Sequence, residues 1–224
     1  EFHQSYSYED FVQGWRPTDG GNFELKDGVF YRFCKAAEKQ PDKTWVFIID
    51  EINRGNLSKI FGELMLLIEA DKRTQSISLT YSSCASDTFC VPPNVHILGM
   101  MNTADRSLAM VDYALRRRFI FHSFEPHFRS ERFQEHLSSM GAPTDLKKRL
   151  IERMEALNAT IASDKNLGVG FLIGHSFFCP SASDIPNAQW YDDIVRHEIA
   201  PLLSEYWFDN EDRAAAETAA LLES

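Results

Sequence analysis

The sequence predicts an α/β core with a mostly parallel sheet, followed by a mostly α-helical module. Three observations carry that reading. Two β-favouring apolar runs, residues 44–49 and 95–101, end abruptly in the polar residues Asp50, Glu51 and Asn102, as buried strands of a parallel sheet do. Segments with helical spacing alternate with these runs, the arrangement that closes βαβ units. Beyond Pro126 the strand signal stops and a 3.6-residue period takes over, which puts a boundary near Glu125 and predicts two domains, 1–125 and 126–224.

In chain order, Asp27-Gly28 is a turn dipeptide, and the apolar positions Val29, Phe30, Phe33, Cys34, Ala36 and Ala37 predict a helix that Gln40-Pro41-Asp42 stops. Residues 44–49 predict a strand buried on both faces, with its carboxylates at the C-terminal edge. Asn56 is placed to cap one amphipathic helix through Leu57, Ile60, Phe61, Leu64, Leu67 and Ile68, which ends in water at Asp71-Lys72-Arg73. Residues 77–81 and 88–91 read as a β-hairpin. Pro92-Pro93-Asn94 then precedes the second buried strand. A short helix over 107–116 and a third strand over 119–124 complete the first domain. Helices follow at 128–139, at 145–162 with Leu146, Leu150, Ile151, Met154, Leu157 and Ile161 in phase, and at 188–208 with an interruption at Pro201. Residues 167–178 are Gly-rich and β-like, and 214–222 close the chain as an Ala-rich helix.

Composition narrows the function. The 224 residues are 44% hydrophobic and 25% charged and include 17 Phe and 4 Trp, so the chain buries a substantial core and is neither disordered nor fibrous. Its longest apolar stretches fall far below the roughly 18 residues that span a bilayer, and no segment reads as a signal peptide. Cys34, Cys84, Cys90 and Cys179 have no CxxC spacing, which predicts reduced thiols in a cytoplasmic compartment rather than disulfides or zinc. The net charge is −10, with 14 basic and 17 acidic side chains in 1–125 and 9 and 16 in 126–224. Such a surface does not grip a phosphate backbone in general; only local clusters such as Arg116-Arg117-Arg118 offer a basic surplus. A chain that opens on Glu1 rather than Met is expected to be part of a longer one, and Ser224 reads as a natural C-terminus.

The chemistry starts at Asp50 and Glu51. Acids at the carboxyl end of a parallel strand face the crevice where such sheets bind ligands, and this is Walker B geometry. Asp50 there can hold magnesium through its water shell, and Glu51 can orient and deprotonate a water that attacks a γ-phosphate. A solvated strand end has the same composition, so Asn102 at the end of the next buried strand matters: its amide can hold the same water from the other side. Arg116-Arg117-Arg118 is either a solvated basic patch or a subunit edge that presents guanidinium groups to a neighbour's phosphates. His175 reads as structural. No HExxH and no spaced Ser/His/Asp set occurs.

Four motifs in order and spacing carry a resemblance: residues 2–11 from Phe2 to Phe11, residues 46–56 with Asp50-Glu51-Ile52-Asn53-Arg54-Gly55-Asn56, residues 101–108 with Met101-Asn102-Thr103-Ala104-Asp105, and residues 112–119 with Arg116-Arg117-Arg118-Phe119. Together with Ile173-Gly174-His175-Ser176 and Ile199-Ala200-Pro201-Leu202-Leu203 they resemble, along the whole length, the McrB family of AAA+ motors. These are the GTP-dependent subunits of McrBC methylation-dependent restriction systems. The resemblance implies an AAA+ P-loop NTPase three-layer core with a helical lid, GTP and Mg2+ as substrate and cofactor, and a hexameric ring of identical subunits. It also implies an McrC-like nuclease partner and DNA as the target, with no membrane. Residue by residue, Asp50 matches the Walker B metal acid and Glu51 the catalytic glutamate, and Asn102 and Asp105 match the Asn-Thr-x-Asp element that combines the sensor position with guanine-nucleotide use. Arg117 and Arg118 match the arginines offered in trans. Gly174-His175-Ser176 falls in the lid near the second sensor, without that sensor's arginine.

One departure stands out. No GxxxxGK[ST] occurs in residues 1–224, and neither the first, central strand of that sheet nor a DNA-reading module is recognisable. The alternatives therefore are an ATP-using AAA+ protein of the MoxR or dynein-related type, and a non-catalytic, truncated ring-interaction module.

Overall fold

The computed structural model describes residues 1–82, 84, 86–102, 104 and 116–223. The chain divides into two compact units, Glu1–Phe121 and His122–Ser224.

In the first unit a short helix α1 (Tyr8–Phe11) leads into an antiparallel hairpin of β1 (Gln13–Pro17) and β2 (Phe23–Asp27), followed by α2 (Val29–Glu38) and β3 (Trp45–Ile49). Helices α3 (Leu57–Phe61) and α4 (Leu64–Leu67), a second small hairpin of β4 (Ile77–Ser78) and β5 (Thr88–Phe89), and β6 (Val95–Gly99) follow. Strands β3 and β6 pair in parallel, Trp45 beside Val95 through Ile49 beside Gly99. This is the parallel sheet that the two apolar runs predict.

The core forms where aromatic side chains of α1, α2, α3 and β3 meet. Phe11 stacks on Phe30 at 4.8 Å between ring centroids and meets Phe61 edge-on at 4.8 Å, while Phe47 closes on Phe30 at 5.1 Å. Phe47 and Ile49 of β3 join this cluster, yet Val46, Ile48 and Leu98 on the opposite face are 48%, 57% and 50% exposed. The expected burial of both strand faces is thus corrected to one, because the helices among the described residues pack on one side of the pair.

The helix expected over 57–68 is two helices. Asn56 caps the first as anticipated, its Oδ1 accepting the Lys59 N–H at 3.0 Å. Gly62 then takes φ +50, which no helix tolerates, and a Cβ there would come within 3.0 Å of the Tyr8 ring. Arg73 does not end the segment in water either: it turns inward and donates to the carbonyls of Ile68 (3.1 Å) and Val95 (3.0 Å), tying the helical segment to the foot of β6. Residues 119–124 form no strand. Ile120 and Phe124 are 86% and 98% exposed, and no described strand lies beside them to take their backbone hydrogen bonds. The helix expected at 107–116 falls, but for Arg116, outside the described residues.

The second unit comprises α5 (Glu131–Ser139), α6 (Thr144–Ser163), α7 (Ala188–Ile194), α8 (Ala200–Tyr206) and α9 (Glu211–Leu222). A π-helical turn, Val195–Ile199, links α7 to α8 because Pro201 lacks the N–H that an α-helical continuation needs. Leu150, Met154, Leu157 and Ile161 of α6 are buried against Tyr191, Val195, Ile199 and Leu203. The stretch at 167–178 is corrected from β-like to two 3-10 turns, Val169–Phe171 and His175–Phe178. Gly168 at φ +81 starts the first, and Asn158 of α6 pins the segment between them.

All four cysteines are free. Burial pushes the Cys34 thiol up to about 12, whereas a hydrogen bond from the Ser86 side chain, 2.9 Å away, lowers that of exposed Cys84. Iodoacetamide near pH 8 is therefore expected to modify Cys84 first and Cys34 only after denaturation. Peptide mass spectrometry reads the order, and early labelling of Cys34 would contradict this core.

Candidate active site at the strand ends

The two parallel strands end side by side, and their backbones stay joined beyond the ladder. The Met100 N–H donates to Ile49 O (2.8 Å) and the Ile52 N–H to Met100 O (2.9 Å). The Phe2 N–H donates to Asp50 O at 2.9 Å from the other side. Gly99 makes this crossing possible: a Cβ on it would stand 2.6 Å from Ile52 Cδ1. The segment from Asp50 to Arg54 is therefore a fixed turn at the carboxyl edge of the sheet, where ligands bind in folds of this kind.

Asp50 is exposed, and its Oδ1 accepts the Glu51 N–H at 3.0 Å. Glu51 has φ +50 and ψ +45, the one non-glycine residue with positive φ among the described residues. That left-handed conformation costs about 1–2 kcal/mol and turns the Glu51 side chain inward. Its Oε2 stands 3.2 Å from Arg54 Nε in an ion pair that lacks hydrogen-bond alignment, so the buried oxygen accepts no hydrogen bond among the described residues. Asn53 repeats the pattern. Its Nδ2 donates to the Asn102 carbonyl at 3.4 Å, while its Oδ1 is buried and accepts no hydrogen bond among the described residues. Asn53 was not among the residues singled out from sequence, although its place two residues after Glu51 was a usable signal.

Asn102 is brought to the same edge, beyond the end of β6, and its Oδ1 accepts the Ala104 N–H at 3.0 Å. The tie from Asn53 to the Asn102 backbone links the two strand ends directly. Asp105 lies outside the described residues. The arginine cluster divides in two. Arg117 is exposed, whereas Arg118 is largely buried and pairs with Glu69 through Nη2 to Oε1 at 2.9 Å. His175 belongs to the second unit and packs among aromatic rings.

Among the described residues no group of three or more His, Cys, Asp and Glu side chains is placed to hold a metal by itself. The donor set at the strand end is one free carboxylate edge, on Asp50, with oxygen acceptors beside it. This suits a hard cation that keeps most of its water, such as Mg2+, and does not suit a fully protein-enclosed ion. No helix among the described residues is long and apolar enough to cross a membrane.

A parallel sheet whose strand ends carry an acid pair and a polar amide, in a chain that also holds a helical module, defines an AAA-type α/β protein. Residues 1–119 match the model of the AAA domain, dynein-related subfamily, and residues 149–215 match that of the McrB alpha-helical lid domain. The chain belongs to this AAA family. It is 54% identical over 215 residues to the type IV methyl-directed restriction enzyme EcoKMcrB subunit of Escherichia coli K12, covering 94% of this chain and 47% of that protein. It is also similar to YdiS, the type II restriction enzyme BsuMI component of Bacillus subtilis 168, at 25% identity over 132 residues, 54% of this chain and 38% of that one. The chain thus spans less than half the length of either relative.

Proposed function

We propose that residues 1–224 are the Walker B, sensor and lid portion of an AAA+ motor that hydrolyses GTP in a restriction system acting on modified DNA. The observation that carries the reading is the pair of buried acceptors, Glu51 Oε2 and Asn53 Oδ1, which accept no hydrogen bond among the described residues and belong to the turn that follows Asp50 at the strand end. Buried oxygen acceptors are rarely left unpaired, and a water donating to both would satisfy them. Glu51 then acts as the general base for that water, with Asn102 bordering the same edge. Asp50 would hold Mg2+ through its water shell, and the ion when bound neutralises charge on the phosphates. Asp105 completes the Asn-Thr-x-Asp element of guanine-nucleotide use. Arg117, and behind it Arg118, serve the site of a neighbouring subunit.

The phosphate-gripping GxxxxGK[ST] is not in residues 1–224, so we propose that it is supplied by a longer polypeptide of which these residues form part. In this reading identical subunits form a ring, hexameric by resemblance, in the cytoplasm. A nuclease subunit of the McrC kind cleaves DNA that another module reads. The net charge of −10 supports leaving DNA recognition to residues elsewhere.

The test is a titration of fluorescent GTP and ATP analogues, with and without Mg2+, against the polypeptide that carries both the P-loop and this chain. GTP is expected to bind about tenfold or more tightly than ATP. Equal binding would favour an ATP-type motor, and binding of neither would favour the non-catalytic ring module.

A further inference from the structure

The β1–β2 hairpin is an arm with two unlike faces. Side chains alternate across a strand, and the register sets Trp15 opposite Leu25 and Pro17 opposite Phe23, so these four apolar residues share one face. Trp15 is 48% exposed and Phe23 67%, so the described residues leave that face largely uncovered. The other face carries Arg16, Glu24 and Lys26, and its charges are matched from within: Arg16 pairs with Asp10, and Lys26 with Glu24 at 2.8 Å. The arm is held at both ends. At the base the Gly28 N–H donates to the Val12 carbonyl at 2.6 Å, and at the tip the Thr18 N–H and hydroxyl both donate to the Asn22 carbonyl, at 2.8 and 3.0 Å. A face fixed in this way loses little conformational entropy on binding.

Two quantities narrow what covers it. The first is area. A fully covered aromatic side chain buries about 150–250 Å², so this patch offers on the order of 300 Å², against about 800 Å² per partner in a stable two-body interface. Face-to-face pairing with the hairpin of a second copy therefore falls short of a dimer. The second is charge. Residues 13–27 hold three acidic and two basic side chains, and Asp19 at the tip and Asp27 at the base have no ion pair among the described residues. That rim repels a phosphate backbone and attracts cationic groups. The face thus fits a small apolar segment of another protein flanked by Lys or Arg, engaged by several copies of the arm so that weak contacts add.

We propose that the apolar face of the hairpin docks the nuclease subunit, through a nonpolar segment with a basic rim that lies against Trp15, Pro17 and Phe23. This rests on the reading that the motor works in a ring with such a subunit, and it names the surface by which the motor holds it.

The experiment measures binding of the cognate nuclease subunit to the P-loop-bearing polypeptide by biolayer interferometry, with a non-hydrolysable GTP analogue present. Trp15→Ser combined with Phe23→Ser is expected to weaken binding about tenfold or more, as loss of aromatic anchors does. Ring size, basal GTP turnover and melting temperature are expected to stay unchanged, because both side chains are already exposed. Asp19→Lys is expected to weaken binding by about threefold through the rim, and Glu24→Gln with Lys26→Gln, on the opposite face, to leave it unchanged. Binding that survives the double serine variant overturns the proposal, and unchanged or tighter binding of Asp19→Lys overturns the basic rim. A double variant whose ring falls apart assigns the face to a second copy instead, and one that loses DNA but keeps the nuclease subunit assigns it to nucleic acid. A wild-type polypeptide that does not bind the nuclease subunit overturns the partner reading itself, a different result from one that binds it with no dependence on Trp15 and Phe23.

Discussion

Glu51→Gln in the P-loop-bearing polypeptide is expected to leave GTP binding within a few fold of wild type and to lower turnover by about 10²–10⁴-fold, the usual contribution of a general base. Glutamine keeps the length of the side chain and its hydrogen-bonding capacity, so the site keeps its shape. It cannot take a proton from water. The conformation of residue 51 makes the assignment sharper. A left-handed φ of +50 is unfavourable for glutamate. Glycine adopts this conformation freely, so Glu51→Gly is expected to hold or raise the melting temperature while removing activity. Retention of an unfavourable backbone state beside two buried oxygens that accept no hydrogen bond among the described residues is what a site under chemical demand looks like. Single-turnover hydrolysis and a thermal melt on both variants decide the matter. Unchanged hydrolysis in Glu51→Gln would sink the assignment of Glu51, and a large loss of stability in Glu51→Gly would give the conformation a structural origin instead.

The site was legible in the sequence to the extent that it is made by strands. An apolar run that stops on acids needs only the local pattern, and β3 and β6 lie where residues 44–49 and 95–101 predict them, Trp45–Ile49 and Val95–Gly99. What decides the geometry inside the turn is not local. The inward direction of Glu51, its contact with Arg54 and the tie from Asn53 to the Asn102 backbone depend on Gly99 letting Ile52 cross the end of the neighbouring strand. No periodicity reports that crossing.

The fold shows the same division. Helices α2 and α6 follow their apolar spacing closely, at Val29–Glu38 and Thr144–Ser163. The break at Gly62 is invisible to a hydrophobic period, which continues through it, although a glycine inside a helical pattern was the available warning. The β1–β2 hairpin gives little apolar signal because its strands carry Gly14, Arg16, Glu24 and Lys26; Gly20-Gly21-Asn22 at its tip is the local mark of it. Residues 119–124 show the opposite failure. They have the composition of a strand, but a strand exists only in a pair.

Arg117→Ala is expected to lower turnover by about 10³-fold or more, as removal of an arginine finger does, with little change in nucleotide affinity. Arg118→Ala is expected to act differently. Its guanidinium is committed to Glu69 at 2.9 Å within its own unit, so its loss leaves a partly buried carboxylate without that partner and lowers thermal stability first. Arg117, exposed and next to this anchor, is the one free to reach another subunit. A mixing experiment separates a finger offered in trans from one used in its own subunit. Glu51→Gln subunits keep Arg117, and Arg117→Ala subunits keep Glu51. If the finger works in trans, two inactive proteins form competent interfaces when combined, because an intact Glu51 in one subunit meets an intact Arg117 from its neighbour. Hydrolysis should then reappear on mixing and scale with the fraction of mixed interfaces. If Arg117 acts within its own subunit, every site in the mixture lacks either its base or its arginine, and the mixture stays as inactive as its parts.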